Sequence, residues 1–192
     1  MRQGGPALPA QSPARVGHLS PRIPEELRTE RLLLRRWRPD DPEALATIYT
    51  DPDYLEHMRP LDLEQTRAQI ERLDRTWSTE GYGQWAAEDL ADGTLAGRIG
   101  LLCHRDWPLV DGPVPEVGWV LRRDLWGRGL ATEGGRAAIE CWREDLDDPR
   151  LISITSPANR RSRAVMERLG LKYRGEARWH DHDVVWYALD RA

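Results

Sequence analysis

Two glycines, Gly127 and Gly129, stand one residue apart between a strand pattern and a helix pattern. Residues 117–121 are typical of a strand, and the small and apolar residues after Gly129 repeat at the spacing of one helix face. The first turn of a helix carries amide N–H groups without internal partners, and glycine has no Cβ atom to keep a ligand away from them. The turn therefore predicts a backbone cradle for a phosphate or pyrophosphate.

Two familiar phosphate loops do not fit this turn. A P-loop needs Gly-Lys followed by Ser or Thr, and the sequence contains no such tripeptide. A dinucleotide-binding fingerprint needs a third small residue at position 132, which is Thr132, and it belongs to the first strand–helix unit of a chain. A tight strand–helix turn that binds nothing is the alternative interpretation of this loop taken alone.

The remaining chain alternates between strand and helix patterns. Helix starts are marked by the acidic pair Asp40 and Asp41 before Pro42, and by Asp62 with Gln65 three residues later. The predicted strands are residues 32–37, 84–89, 95–103, 117–121, 151–155, 173–177 and 184–189, and the later helices begin after Gly129 and at Asn159. This order predicts an α/β (α+β) fold with a mixed sheet and helices on its faces.

Length and composition limit the class of protein. The 192 residues suit one domain, which we place at residues 25–192, after a proline-rich arm at residues 1–24 that we expect to be flexible. The net charge of -4 disfavours nucleic acid, and no apolar run is long enough to span a membrane. No hydrophobic signal core precedes the two cysteines, so we expect a cytoplasmic, reduced protein.

Neither the arginines nor the histidines indicate a site by themselves. Lys172 is the only lysine among 28 basic residues, so most arginines reflect a compositional bias. His104 is isolated at a strand end, and the run of His and Asp at residues 180–183 is typical of a polar turn. With only two cysteines and no further ligands nearby, we predict no metal site.

Sequence around the glycine turn resembles the GCN5-related N-acetyltransferase (GNAT) superfamily, and most closely its ribosomal-protein-alanine N-acetyltransferase branch. Gly129 and Ala131 fill the small positions of the family's acetyl-CoA loop, whereas Trp126 stands where Gln or Arg is usual. The resemblance continues through residues 116–121, 131–133, 159–171, 174–176 and 184–187, and covers about residues 27–190.

The resemblance implies a GNAT fold with a central sheet of about six to seven strands and helices on both faces. It also implies two splayed strands, 117–121 and 151–155, that hold acetyl-CoA between them. The residues expected to contact acetyl-CoA are Trp119, Val120, Leu121, Gly127, Arg128, Gly129, Leu130, Ala131, Thr132 and Asn159. Asn159 also suits the N-cap of its helix, and the two roles are compatible.

Two residues are expected to handle protons. Many relatives have a tyrosine where this chain has Met166, so Ser162, one turn earlier, is the expected proton donor to the leaving thiolate. Glu116, at the start of the strand that leads to the acetyl site, is the expected base, with Glu88 as a second candidate. The alternative interpretations are a helix-surface serine and a solvated strand-end charge.

The predicted function is direct transfer of acetyl from acetyl-CoA to a primary amine, either a protein N-terminus or a small molecule. The acceptor site is expected between the amino-terminal helices, residues 108–115 and the carboxy-terminal hairpin, with Trp37, Trp107 and Trp179 as candidate lining. The rival is a non-catalytic acyl-CoA-binding module, suggested by Met166. Edge strands at the carboxy terminus would allow a homodimer.

Overall fold

The computed structural model describes residues 22–191. This part of the chain forms five α-helices: α1 (Asp41–Tyr49), α2 (Pro52–Leu55), α3 (Leu63–Glu80), α4 (Leu130–Asp145) and α5 (Arg160–Arg168). Its strands are β1 (Leu27–Arg28), β2 (Leu32–Arg35), β3 (Gln84–Asp89), β4 (Leu95–His104), β5 (Val114–Leu121), β6 (Arg150–Thr155), β7 (Lys172–Trp179) and β8 (His182–Asp190). A short 3-10 turn, Arg123–Leu125, follows β5.

The eight strands form one sheet in the order β1-β2-β3-β4-β5-β6-β8-β7. Every neighbouring pair is antiparallel except β5 and β6, so the predicted mixed sheet is confirmed. The sequence indicated six to seven strands, and the additional one is β1. Its two residues pair with Leu33 and Leu34 of β2 and are too few to show an alternating pattern.

Helices cover both faces of the sheet, as expected. On one face α4 lies directly on the central strands: a Cβ atom at Gly134 would come within 2.6 Å of Ile99. On the other face α1 and α3 bury Leu45, Tyr49 and Ile70 against Ala86 of β3. Placing both helix layers on alternate sides of β3 and β4 buries those strands on both faces.

Local signals in the sequence explain where most helices begin and end. Asp62 and Gln65 form the reciprocal capping box that opens α3, and Gly81 ends the same helix with a left-handed backbone at φ +77°. The expected acidic cap of α1 is different, because Asp40 makes no capping bond. Asp41 instead binds the buried Arg35 guanidinium through two bonds of 2.8 and 2.9 Å.

The first described residues, 22–24, lie before the domain start that the sequence indicated at residue 25. Residues 1–21 of the predicted arm are outside the described part of the chain. Residues 22–24 pack against the domain: the Ile23 side chain is 3% exposed, and the Trp85 indole donates to the Pro24 carbonyl at 3.0 Å. None of the helices within residues 22–191 combines the length and apolar character needed to cross a membrane.

Candidate functional site

A wedge opens in the sheet where β5 and β6 separate. These two parallel strands share a single register pair, Glu116 with Ile152. One side-chain bond reinforces that junction, from the buried Ser153 hydroxyl to the Val117 carbonyl at 2.8 Å. Residues 114–117 are buried, whereas residues 118–120 are half-buried and pair only with β4. The two strands therefore separate after Val117.

The glycine turn stands at the carboxyl end of β5, beside the wedge. Gly127 and Gly129 adopt left-handed backbone conformations, with φ +74° and +84°, and both are exposed. Nothing lies within 4 Å of a Cβ atom built at Gly127, so this position requires glycine for its backbone rather than for space. Gly129 precedes α4 directly, and no side-chain bond from it caps that helix. The first amides of α4 are thus available to an anion.

Arg31 stabilises the glycine turn through hydrogen bonds. Its guanidinium donates to the Arg128 carbonyl at 2.8 Å and to Glu133 of α4 at 2.7 Å. Thr29 donates to the same carboxylate at 2.6 Å. Burial alone would raise the pKa of Glu133, but the bonds from Thr29 and Arg31 outweigh it and lower that pKa. No pattern in the sequence indicates this role, because Arg31 is one of many arginines.

Trp126, which stands where Gln or Arg is usual in the family's acetyl-CoA loop, connects the glycine turn to β5 and to α5. Its indole donates to the Leu121 carbonyl at 2.7 Å. The guanidinium carbons of Arg123 and Arg161 lie 5.1 and 5.2 Å from its ring centroid. Because Arg161 belongs to the first turn of α5, this stacking links the glycine turn to the opposite helix.

The amino end of α5 carries Asn159 and Ser162 together. The Asn159 side-chain oxygen accepts the Ser162 amide at 3.0 Å, so Asn159 is the N-cap of the helix, which leaves its amide donors for another partner. Ser162 is half-buried one turn into the site, whereas Met166 is 1% exposed and belongs to the core. The Tyr187 hydroxyl accepts from Arg163 and donates to Glu167 at 3.2 Å, so it is already occupied.

Glu116 lies at the junction of the wedge, and both of its oxygens are engaged. Oε1 accepts the Ile154 amide of β6 at 3.1 Å, and Oε2 is hydrogen-bonded to Nε2 of His104. Burial would lower the pKa of His104, but the bond to Glu116, its charge and that of Asp106 outweigh burial and raise it. The sequence-based view of His104 as isolated is wrong, because the β4–β5 pairing brings it beside Glu116.

The second candidate base, Glu88, is placed elsewhere. It lies on β3, and Arg35 and Arg38 both donate to its Oε2 atom at 2.8 Å. The carboxylate therefore serves an ion-pair cluster that also contains Asp41. This cluster is two strands away from the wedge.

Three tryptophans gather near His104. Trp179 lies edge-on to the His104 ring at 4.7 Å between centroids, and Trp107 contacts both Trp179 and Trp186 at 5.5 and 5.9 Å. Two of the three expected lining residues thus share one cluster. The third, Trp37, lies apart and donates to the Gln84 carbonyl at 3.2 Å on the face covered by α1 and α3.

The β7–β8 hairpin turn closes this aromatic cluster. His180 and Asp181 both have positive φ, 46° and 63°, and His180 pairs with Asp106 at 3.0 Å. Two positive φ values are typical of a type I′ hairpin, so the predicted polar turn is present. Among residues 22–191, no group of three or more His, Cys, Asp or Glu side chains has an arrangement that suits a metal ion.

Neither cysteine is an activated nucleophile. Burial raises the pKa of the Cys103 thiol, and it raises that of Cys141 to about 11. Both thiols are therefore protonated near neutral pH, and a thiolate is the reactive form of cysteine.

Comparison with known proteins agrees with this arrangement. Residues 31–172 match the family model described as an acetyltransferase (GNAT) domain. The chain is 28% identical over 150 residues to the uncharacterized protein YkkB of Bacillus subtilis (strain 168), covering 77% of this chain and 86% of that protein. It is 32% identical over 106 residues to the putative ribosomal N-acetyltransferase YdaF of the same organism, covering 52% and 56% of the two chains.

Solved structures share the fold. The acetyltransferase from Agrobacterium tumefaciens str. C58 superposes with a TM-score of 0.74 at 29% identity, covering 98% of this chain and all of that one (100%). The ribosomal acetyltransferase RimL, solved in complex with coenzyme A, superposes with a TM-score of 0.66 at 18% identity over 88% and 97% of the two chains. With a family model that spans most of the described residues, the chain belongs to the GNAT acetyltransferase family.

Proposed function

We propose that this protein is an N-acetyltransferase that moves the acetyl group of acetyl-CoA directly to a primary amine. The observation that carries the proposal is the wedge itself: β5 and β6 separate after one register pair, and the glycine turn stands at the wide end. An open strand edge beside uncapped amides suits an elongated ligand with an amide-bearing arm and a pyrophosphate.

The glycine turn is the proposed site for the pyrophosphate. The amides of Gly127, Arg128, Gly129, Leu130, Ala131 and Thr132 supply the donors, and the positive end of α4 favours the negative charge. The exposed Arg128 side chain adds a cation, because the Arg31 bond uses only its carbonyl. The cradle is mainly backbone, so the net charge of -4 does not oppose it.

The open half of β5 is the proposed site for the pantetheine arm. In an antiparallel strand, alternate N–H and C=O groups point to opposite neighbours. Trp119, Val120 and Leu121 are paired with β4 only, so the groups that point away from β4 face the wedge. Asn159 offers amide donors from the opposite wall. An N–H of β5 aimed at the thioester carbonyl would stabilise the negative charge that develops there.

Proton transfer is assigned to residues at two places in the wedge, the first turn of α5 and the junction of β5 with β6. We propose Ser162 as the donor to the departing sulfur, because it is half-buried in the first turn of α5. Met166, one turn later, has no proton to give. We place the removal of the amine proton at the Glu116 carboxylate and the His104 ring bonded to it. Both assignments require the amine acceptor to enter the wedge from the side where the aromatic cluster lies.

The acceptor is proposed to be either a protein amino terminus or a small amine. Trp179 and the Asp106–His180 pair form the wall nearest Glu116 and His104, and Trp107, 2% exposed, packs against Trp179. Aromatic faces and nearby carboxylates attract an ammonium group. Likeness to the ribosomal acetyltransferases favours a peptide amino terminus. A cytoplasmic location and pairing through the exposed β7 edge stay predictions from the sequence.

A coenzyme A release assay tests the function. The protein is incubated with acetyl-CoA and a panel containing peptides with different amino-terminal residues, free amino acids and aminoglycosides, and the thiol released is measured. Turnover with any amine supports the proposal, and mass spectrometry of the product identifies the acetylated nitrogen. Acetyl-CoA binding by calorimetry without turnover on any amine supports the rival, a non-catalytic acyl-CoA-binding module.

Self-acetylation must be separated from acceptor turnover in this assay. Lys172 is the only lysine and lies exposed on β7, so the chain has few amines of its own. A Lys172→Arg variant removes the side-chain amine and leaves the wedge untouched. Its turnover on the amine panel should equal that of the unmodified protein.

A further inference from the structure

His104 and Glu116 form a buried acid–imidazole pair on neighbouring strands. Across the β4–β5 ladder Glu116 is opposite Leu102 and His104 is opposite Val114, so the two side chains are diagonal neighbours on one face. Their side chains are 16% and 10% exposed, and Nε2 of His104 is hydrogen-bonded to Oε2 of Glu116. The two groups therefore act as one unit.

Both oxygens of the Glu116 carboxylate are already engaged by groups of the protein. Oε1 of Glu116 accepts the Ile154 amide at 3.1 Å, and this bond spans the junction of the wedge. Oε2 accepts from His104. A buried carboxylate held at both oxygens is well placed to orient the neighbouring imidazole.

The imidazole, in contrast, keeps a free nitrogen. An ionised carboxylate can only accept, so the bond places the His104 proton on Nε2 and leaves a lone pair on Nδ1. Within residues 22–191, no protein group is hydrogen-bonded to Nδ1. The ring is also held edge-on by Trp179 at 4.7 Å, so its orientation is set by packing and by the carboxylate.

We propose that His104 is the proton acceptor for the amine substrate, directly or through one ordered water, and that Glu116 is its positioning residue. This inference rests on the proposed function. The ammonium substrate gives one proton to Nδ1, and the neutral amine nitrogen then forms a bond to the acetyl carbon. The carbon–sulfur bond breaks, the second amine proton passes through the Ser162 hydroxyl to the departing sulfur, and the imidazolium releases its proton to solvent.

The charges around His104 set the direction of the pH dependence. Burial and Arg72 of α3 oppose the imidazolium, whereas Glu116 from β5 and Asp106 from the β4–β5 loop favour it. The balance raises the pKa of His104, so the base form is present above that raised value and is lost as the pH falls through it. Removing the charge of Glu116 must therefore move the acidic limb of the rate profile to lower pH.

Two substitutions separate the base from its partner. His104→Gln keeps an amide donor for Glu116 but has no basic nitrogen, and it should lower kcat by about 100-fold, the usual contribution of a general base. Glu116→Gln should retain measurable activity, with the acidic limb of kcat/KM shifted to lower pH. His182→Gln, which changes an exposed histidine of β8, is the matched control and should leave the profile unchanged.

The measurements are pH–rate profiles, together with an NMR titration of the His104 ring that needs no turnover. The expected result is a downward shift of the His104 titration in Glu116→Gln that matches the shift of its kinetic limb. Near-normal kcat in His104→Gln, or complete loss of activity in Glu116→Gln with an active His104→Gln, overturns the proposal and makes Glu116 the base. An unmodified protein that binds acetyl-CoA but turns over no amine instead contradicts the proposed function itself.

Discussion

The two ends of β5 have opposite properties. At the amino end, residues 114–117 are buried between β4 and β6, and Glu116 is fixed by His104 and the Ile154 amide. At the carboxyl end, residues 118–120 have β4 on one side only and lead to the exposed glycine turn. One strand thus presents fixed charge at one end and open backbone at the other, because β6 leaves it after a single register pair.

The largest expected effect is at the open end. Gly129→Asp places a side chain where φ is +84° and a carboxylate beside the proposed pyrophosphate, so acetyl-CoA should bind about 1,000-fold more weakly, equivalent to about 4 kcal/mol. Calorimetry measures the change. Gly93→Asp is the control, because Gly93 has a similar φ of +70° in the β3–β4 turn, with nothing within 4 Å of its Cβ position. Unchanged acetyl-CoA affinity in Gly129→Asp would contradict the assignment of the pyrophosphate site to the glycine turn.

The next effect is on the opposite wall of the wedge. Ser162→Ala should lower kcat by about 100-fold with little change in the KM for acetyl-CoA, because the hydroxyl is needed only as the thiol leaves. Steady-state kinetics at saturating amine provide the test. Ser78→Ala, on the outer helix α3, is the control. An equal loss of kcat in the two variants, or no loss in either, would contradict the assignment of Ser162 as the proton donor.

A smaller effect is expected from the residue that holds the glycine turn in place. Arg31→Ala removes the bond to the Arg128 carbonyl and one partner of Glu133, and it should weaken acetyl-CoA binding by about fivefold without changing kcat. Arg28→Ala, an exposed arginine on β1, should have no effect. A kcat loss with unchanged affinity would show that Arg31 acts on the chemistry rather than on the turn.

The smallest effect is at the junction between the two ends. Ser153→Ala leaves the Val117 carbonyl without its 2.8 Å partner and should cost about 1 kcal/mol, which lowers Tm by about 2–4 °C. Acetyl-CoA affinity should stay within about twofold, because the glycine turn is intact. Thr155→Ala on the same strand is the control. A large loss of affinity in Ser153→Ala would mean that the junction also shapes the open end.

Local features of the fold were readable from the sequence because their causes are local. The glycine turn and the capping box at Asp62 depend on residues within a few positions of each other. The order of strands and helices followed from apolar spacing. β1 and α2 were missed because two and four residues are too few to carry a pattern.

Partners that lie far apart in the chain were beyond the reach of such patterns. Arg31 and Glu133 are separated by 102 positions, and nothing in either neighbourhood indicates the other. Glu88 looked like a base by its place on a strand, and only the folded chain shows it bound to Arg35 and Arg38. His104 looked isolated because its partner is 12 residues away across a hairpin.

The sequence by itself determined the glycine turn and the mixed sheet, since these follow from local backbone preference and apolar periodicity, and its motifs carried the resemblance to the family. Tertiary structure alone decided the partners of the charged groups. Glu116 binds His104 and the Ile154 amide, and Arg31 binds the glycine turn. The physical reason is that strand register and the point where β6 leaves β5 are set by packing of the whole sheet. Charge pairing at the site therefore depends on the complete fold.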